Sequence, residues 1–412
     1  MWSRVWAFFL LSGLLFSLGD EEFVRQAEQI HRGVLTVDTH CDTLLSLRRP
    51  GWDIGQRHET GQPGSGRVDL PRMKEGDLDA SFFAVFTNQG PLTDEGFARA
   101  RQSALRQLDA LDRMEASYLP IAGRALRPAD ARRLERQGKR AIFVGLENGY
   151  PIGRRLDDVD YFFRRGMRYL TLVHTADNQL CDSSTDRNDP QDRGLNDFGR
   201  RVVERLNQLG VMVDVSHCSD RSFFDILKAS RAPVIASHSS VRAIAASPRN
   251  LSDEMLLALQ RNGGVIQICI YSGYIRTAPE DPERDRDMAE FRRRVRDQYG
   301  DWENVTDPAA RAAIAVEHDA LEQKYAGQLA TVKEAVDHID HVVRLIGIDH
   351  VGIGTDFDGG GALADCRDVT ELKNITVELV RRGYTRKQIA KIWGGNAMRV
   401  MRRAIDYSRN KN

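Results

Sequence analysis

Residues Val34–Thr43 read VLTVDTHCDT, and the fold is decided by how this run is understood. Val34, Leu35 and Val37 are strand-type apolar residues, the run ends at Asp38, and His40 and Asp42 follow. Along extended backbone, successive side chains alternate between faces, so His40 and Asp42 project together while Cys41 points away. An imidazole and a carboxylate side by side at the end of a buried strand are a ligand pair for zinc or a neighbouring divalent ion. On its own, His-x-Asp reads more readily as a histidine at a turn with Asp as its hydrogen-bond partner. The metal reading depends on further ligand types recurring at strand ends.

Outward from this strand the chain keeps one rhythm. A short helix, Glu21–His31, leads in, and an irregular Gly- and Pro-rich loop, Arg48–Arg67, leads out. Further apolar runs come at Leu78–Thr87, Arg140–Glu147, Met167–His174, Val211–His217, Pro233–His238, Gly264–Tyr271 and His350–Asp356. The helical period predicts helices over Gly96–Tyr118, Asp158–Arg165, Phe198–Leu209, Arg221–Ala229, Leu251–Arg261, Thr331–Leu345, Glu371–Arg382 and Arg386–Trp393. Nearly continuous apolar strands alternating with helices imply parallel pairing with both sheet faces covered. Eight such units predict an α/β fold of the (β/α)8 TIM-barrel type, with its chemistry at the C-terminal strand ends. A doubly wound sheet is the alternative, but it would not bring these strand ends around one centre. The charged stretch Ser272–Ala330 breaks the rhythm and reads as a solvated helical excursion. A loop at that place in a barrel opens on the active face, which makes a lid its second reading.

At 412 residues, with 41% hydrophobic content, the chain can bury one large core. The formal charge is +0, from 59 basic and 59 acidic residues, which disfavours nucleic acid as a partner. Met1–Gly19 has a basic start, an apolar run (VWAFFLLSGLLF, Val5–Phe16) and small residues before Asp20. That is the outline of a secretory signal peptide, with an uncleaved anchor as the alternative. The mature chain, 20–412, is then expected to be a single catalytic barrel domain with no transmembrane span, and its polar end (YSRNKN) has no lipid-anchor tail. Five cysteines are an odd count for an exported protein; Cys41, Cys218 and Cys269 sit in apolar runs, and one Cys181–Cys366 disulfide is admitted without being established by spacing.

Ligand types do recur. His40 and Asp42 follow the first strand, Glu147 closes the third, His174 the fourth, His217 the fifth, His238 the sixth and Asp356 the eighth, so four of the ten histidines fall at strand ends. Glu147 is informative, because an unpaired carboxylate closing an apolar strand (AIFVGLE) would be costly and a metal removes that cost.

The motifs VDTHCDT (Val37–Thr43), GLENG (Gly145–Gly149), GMRYLTLVHTADN (Gly166–Asn178), VDVSH (Val213–His217), RAPVIASHSSVRAIAASPRN (Arg231–Asn250) and GIGTDFDG (Gly352–Gly359) occur in this order. From about Leu35 to Arg399 the chain resembles the renal (membrane) dipeptidase family of zinc peptidases, within the amidohydrolase-like barrels. The turn GxNxxR at Gly395–Arg399 fits the same family. The resemblance implies two zinc ions, His40 and Asp42 holding one, His217 and His238 the other, and Glu147 bridging both. Two ions bridged by a carboxylate acidify a shared water, so that hydroxide attacks the peptide carbonyl near neutral pH. It further implies that His174 contacts substrate and oxyanion and that Asp356 handles the substrate amine and shuttles the proton to the leaving nitrogen. Arg249 would grip the terminal carboxylate, assisted by Tyr274.

A long Ser272–Ala330 segment departs from the animal enzymes, and the loop CDSSTD (Cys181–Asp186) looks more like bacterial members, implying a periplasmic or secreted bacterial protein. The expected partner is a small dipeptide; a homodimer is admitted. Two other functions stay open. One is a related amidohydrolase, such as an N-acyl-D-amino-acid deacylase or a β-lactam or lactone hydrolase. The other is a catalytically silent maturation or binding protein, which the complete ligand set argues against.

Overall fold

In the computed structural model the described residues are 21–410, apart from 50, 61, 63, 187, 189–190, 278–280, 301–304, 306 and 326–328. The proposed signal segment, 1–19, lies outside them. Nine strands form one parallel sheet: β1 Val37–Cys41, β2 Ala80–Phe86, β3 Ala122–Arg124, β4 Arg140–Glu147, β5 Met167–Thr171, β6 Met212–Asp214, β7 Ile235–Ser239, β8 Val265–Ile268 and β9 Val351–Ile353. Eight of them run in the order β1-β2-β4-β5-β6-β7-β8-β9. β3 was not expected. It pairs with Arg140–Ile142 at the start of β4, on the edge that β5 occupies only from Val144 onward.

No ladder joins β9 to β1; side chains and loop backbone close the barrel instead. Buried Asp38 accepts from the Thr355 backbone N–H and hydroxyl, both at 2.8 Å. Above them, Asp356 N–H donates to His40 O at 2.9 Å and Asp42 N–H to Phe357 O at 2.8 Å. Asp214 ties the opposite wall, accepting from Thr171 of β5 and from Ser237 of β7. Both carboxylates lie inside the sheet, where an unpartnered charge would be untenable.

The barrel interior stacks aromatic rings beneath the site. Phe82 lies 4.6 Å from Phe143 and 5.4 Å from Tyr169, measured between ring centroids. The first glycine of GLENG makes room for this column, because a Cβ on Gly145 would strike the Tyr169 ring. The floor is laid by a helix the sequence reading did not extend to, Asn396–Arg409. Its Ala397, Met398, Val400, Met401 and Ala404 join Leu35, Val37, Phe82, Phe143 and Ile235 in one apolar cluster. The GxNxxR turn is the anchor of this plug. Asn396 Nδ2 donates to the carbonyls of Ile348 (2.7 Å) and Val351 (2.8 Å), and Arg399 donates to those of Gly263 (2.7 Å) and Asp349 (2.6 Å).

The excursion after β8 is helical, as its charge predicts, over Pro282–Tyr299 and Pro308–Lys324. A small separate core of Phe291, Val295, Val305, Ala310 and Ile314 holds it together. Ser272 clamps both roots: its hydroxyl donates to Ala362 O at 2.9 Å and accepts from Ala330 N–H at 3.0 Å. The Cys181–Cys366 disulfide does not form. All five cysteines are buried free thiols. Cys181 meets the Cys218 thiol, while Cys366 turns back on Leu363. No helix among the described residues is long and apolar enough to cross a membrane.

Candidate metal centre

The seven residues expected at strand ends converge at the C-terminal mouth of the barrel, although fewer stand on strands than the reading assumed. His40, Glu147 and His238 lie within β1, β4 and β7, whereas His174, His217 and Asp356 lie in the loops after β5, β6 and β9. Asp42 is not in extended backbone either: the strand stops at Cys41, and Asp42 caps the short helix Thr43–Ser46 with φ −96° and ψ 24°. His40 and Asp42 still meet, Nε2 to Oδ2 at 3.5 Å, because the turn brings the carboxylate back over the strand end.

Glu147 is the hub. Its Oε2 lies 3.3 Å from His40 Nε2, and its Oε1 lies 3.1 Å from His217 Nε2 and 3.4 Å from His238 Nε2. His174 Nε2 stands 3.7 Å from the same Oε1, and Asp356 Oδ1 lies 3.9 Å from His40 Nε2. Each oxygen of one buried carboxylate thus faces its own group of ligand atoms. His40 Nε2 and Asp42 Oδ1 are buried with no hydrogen-bond partner among the described residues, and the Nε2 atoms of His217 and His238 approach to 2.9 Å. Converging lone pairs and orphaned buried donors are the chemistry of a metal site, and this donor set of imidazole and carboxylate suits zinc.

The charges in the protein alone are strongly shifted. Burial would push the Glu147 carboxyl up, but the surrounding His40, His217 and His238 hold it well below the usual range. Burial and the neighbouring Glu147 raise Asp42 to about 6. Burial raises Asp356 to about 8, with Asp42 and Glu147 adding to it and His40 opposing. Burial lowers His174 to about 4 and drives His217 and His238 well below their ordinary value, so all three are neutral near pH 7.

The loops that carry these groups hold strained backbone. Asn148, His217, Asp356 and Asp358 have positive φ, between 61° and 73°, a conformation costing about 1 kcal/mol or more in a non-glycine residue. Hydrogen bonds hold it in place: His217 O accepts from Ser184 N–H at 2.8 Å, and Asp356 O from Gly361 N–H at 2.7 Å. Gly359 of GIGTDFDG is required by space, because a Cβ there would collide with the carboxylates of Asp42 and Asp356.

Arg249 and Tyr274 join this mouth. Arg249 is 3% exposed and donates to His238 O at 3.2 Å and Ser239 Oγ at 3.5 Å. Its Nε has no partner among the described residues, and its guanidinium lies 5.2 Å from the Tyr274 ring centre. Asn250 Nδ2 donates to Tyr274 O at 2.8 Å, tying the two loops together. Residues behind the ligands were missed by the sequence reading. Tyr169 OH lies 2.8 Å from His40 Nδ1, Ser237 Oγ lies 2.8 Å from His238 Nδ1, and the edge of Phe86 packs on His174 at 4.7 Å. For Tyr169 and Ser237 the signal was a polar group inside a buried strand, which has to find a partner; Phe86 gave none.

The sequence model of the membrane dipeptidases, peptidase family M19, matches residues 24–412. The chain belongs to this family. Dipeptidase tcpJ of Claviceps purpurea is 29% identical over 375 residues, covering 90% of this chain and 77% of that protein. Dipeptidase 3 of Macaca fascicularis is 28% identical over 383 residues, covering 92% and 67%. The crystal structure of the probable dipeptidase PvdM from Pseudomonas aeruginosa superposes with a TM-score of 0.77 at 32% identity, covering 94% of this chain and 99% of that one. The protein is a hydrolase acting on dipeptides, on a nearly closed parallel (β/α)8 barrel whose mouth carries histidine and carboxylate groups that could hold a metal.

Proposed function

We propose that the protein is an exported zinc dipeptidase with two ions per chain. His40 and Asp42 would hold one ion, His217 and His238 the other, with Glu147 shared between them. The observation that carries this reading is the division of Glu147: Oε2 toward His40, Oε1 toward His217 and His238. Zinc bound there supplies an acidified water and polarises the scissile carbonyl.

The remaining steps belong to side chains. Arg249, already desolvated and with Nε to spare, binds the C-terminal carboxylate of the dipeptide in the paired geometry of a guanidinium. The Tyr274 ring packs on that guanidinium and limits its movement. His174, held neutral by burial and braced by Phe86, donates a hydrogen bond to the oxygen that gains charge during attack. Asp356, whose carboxylate stands 3.9 Å from His40 Nε2, would take a proton from the attacking water, return it to the leaving nitrogen, and receive the substrate amine. An acidic pole and a basic pole on either side of the metals favour a short zwitterion over an N-acylated or lactone substrate.

The test is a panel of free dipeptides, N-acyl amino acids and lactones, offered to the mature protein stripped with a chelator and then reloaded with zinc. Zinc-restored cleavage of free dipeptides is expected. Cleavage of the acylated or lactone substrates with free dipeptides untouched would refute the assignment.

A further inference from the structure

The three buried imidazoles facing Glu147 differ in what stands behind them. His217 Nδ1 has no partner among the described residues, and His40 Nδ1 meets the Tyr169 phenol at 2.8 Å. His238 Nδ1 meets Ser237 Oγ at 2.8 Å, and that hydroxyl donates to Asp214 Oδ2 at 2.6 Å. A serine has one hydroxyl proton. With that proton given to Asp214, Ser237 offers His238 only lone pairs, so His238 carries its proton on Nδ1 and turns the Nε2 lone pair to the centre.

Asp214 is fully buried, at 0% exposure. Four donors converge on it: Ser216 N–H (3.0 Å) and Ser237 N–H (2.9 Å) on Oδ1, and the hydroxyls of Thr171 (2.5 Å) and Ser237 (2.6 Å) on Oδ2. Each is a group with a proton to give, so the carboxylate acts wholly as acceptor. Bracing the barrel wall needs only the backbone N–H groups and Thr171; the Ser237 hydroxyl is the one donor that passes the charge on.

We propose that Asp214, acting through the Ser237 hydroxyl, is a positioning device that fixes the tautomer of His238 and strengthens its Nε2 as a metal ligand. A carboxylate behind a ligating histidine orients the ring and raises its basicity, and removal of such partners costs about 10- to 100-fold in metal affinity. Here the carboxylate acts through an intervening serine. The inference rests on the zinc reading of the centre, and its test separates the two.

Zinc affinity of the full mature chain is measured by competition with a chromophoric chelator for the wild type, Ser237→Ala and Ser237→Thr, alongside the melting temperature of each metal-free protein. Ser237→Ala is expected to bind the zinc held by His217 and His238 about 10- to 100-fold less tightly, with Ser237→Thr recovering most of the loss. Asp214→Asn should shift affinity in the same direction. A Ser237→Ala protein that melts lower without metal but binds zinc within twofold of the wild type would reduce the relay to a wall brace and overturn the proposal. A wild type that binds no zinc would instead overturn the functional reading, and the relay with it. If the variants do not fold, 15N-histidine spectra of the metal-free wild type decide: an Nδ1–H signal for His238 supports the relay, and an Nε2–H signal refutes it.

Discussion

Replacing Arg249 tests how substrate is held, and the structure sets the size of the effect. The guanidinium is 3% exposed, bonded on one side to His238 O and Ser239 Oγ, with Nε unpaired. Its desolvation is therefore complete before substrate arrives, and a carboxylate docking there gains charge-assisted bonds with little reorganisation. Arg249→Ala should cost roughly 2–4 kcal/mol of transition-state binding for a free dipeptide, or about 30- to 900-fold in kcat/KM. Arg249→Lys should recover little, since an ammonium cannot reproduce the fork. C-terminally amidated dipeptides lack the charge, so the wild type should already cleave them poorly and the mutation should add little. Measuring kcat/KM for both enzymes on both substrates closes a double-mutant cycle, whose coupling isolates the pair. Equal cleavage of free and amidated dipeptides by the wild type, or equal losses on both in the variant, would show that Arg249 does not read the carboxylate.

Elemental analysis of the purified protein should find about two zinc ions per chain; Glu147→Gln should deplete both, and His238→Ala mainly one, while a single ion in fully active enzyme would refute the bridged pair. His338, buried in the helix Val332–Ile346, accepts from Val241 N–H at 3.0 Å and donates to Ile275 O at 2.7 Å, and burial lowers its pKa to about 4. Because the unfolded chain takes up that proton near pH 6.5 and the folded one does not, the stability is present above pH 6.5 and drains away as pH falls toward 4; between pH 7 and 4.5 the wild type should lose roughly 2–3 kcal/mol more than His338→Gln in urea unfolding. Equal losses would sink that linkage. N-terminal sequencing of protein recovered outside the cytoplasm should begin near Asp20; Met1 intact on membrane-bound material would make the segment an anchor.

The eight barrel strands, and the cluster of histidines and carboxylates that could hold a metal, could be read from the sequence because each strand is a short apolar run closed by a polar residue whose burial has to be explained. Glu147 after AIFVGL and His238 after VIAS are of this kind. Misplaced details have local causes. Asp42 seemed to need strand alternation, but the turn at the helix Thr43–Ser46 makes the same approach. β3 has three residues, only Ala122 of them buried, too few for a period to register. The helix Pro128–Arg136 packs just Pro128, Ala131 and Leu134 amid charge. Gly394-Gly395 reads as a stop, yet the chain passes through it in a widened turn, Lys391–Gly395, and resumes as the floor helix. Asp214 and Ser237 stood in plain view within VDVSH and VIASH, but the bond that joins Asp214 to Ser237 runs between strands, and no spacing along one strand encodes it.

The floor helix also fixes the order in which the protein can be finished. Its side chains close the barrel from below, and they lie far along the chain from the strands they cover. Until Met398, Val400 and Met401 arrive, Val37, Phe82 and Phe143 lack the cover that seals them. Closure of β9 against β1 likewise waits on a partner more than three hundred positions away. Such long-range closure is slow and leaves apolar surface exposed meanwhile. A chain built this way cannot complete its core before residues 396–409 have joined it. The docking of that helix under the strands is therefore the step expected to limit refolding.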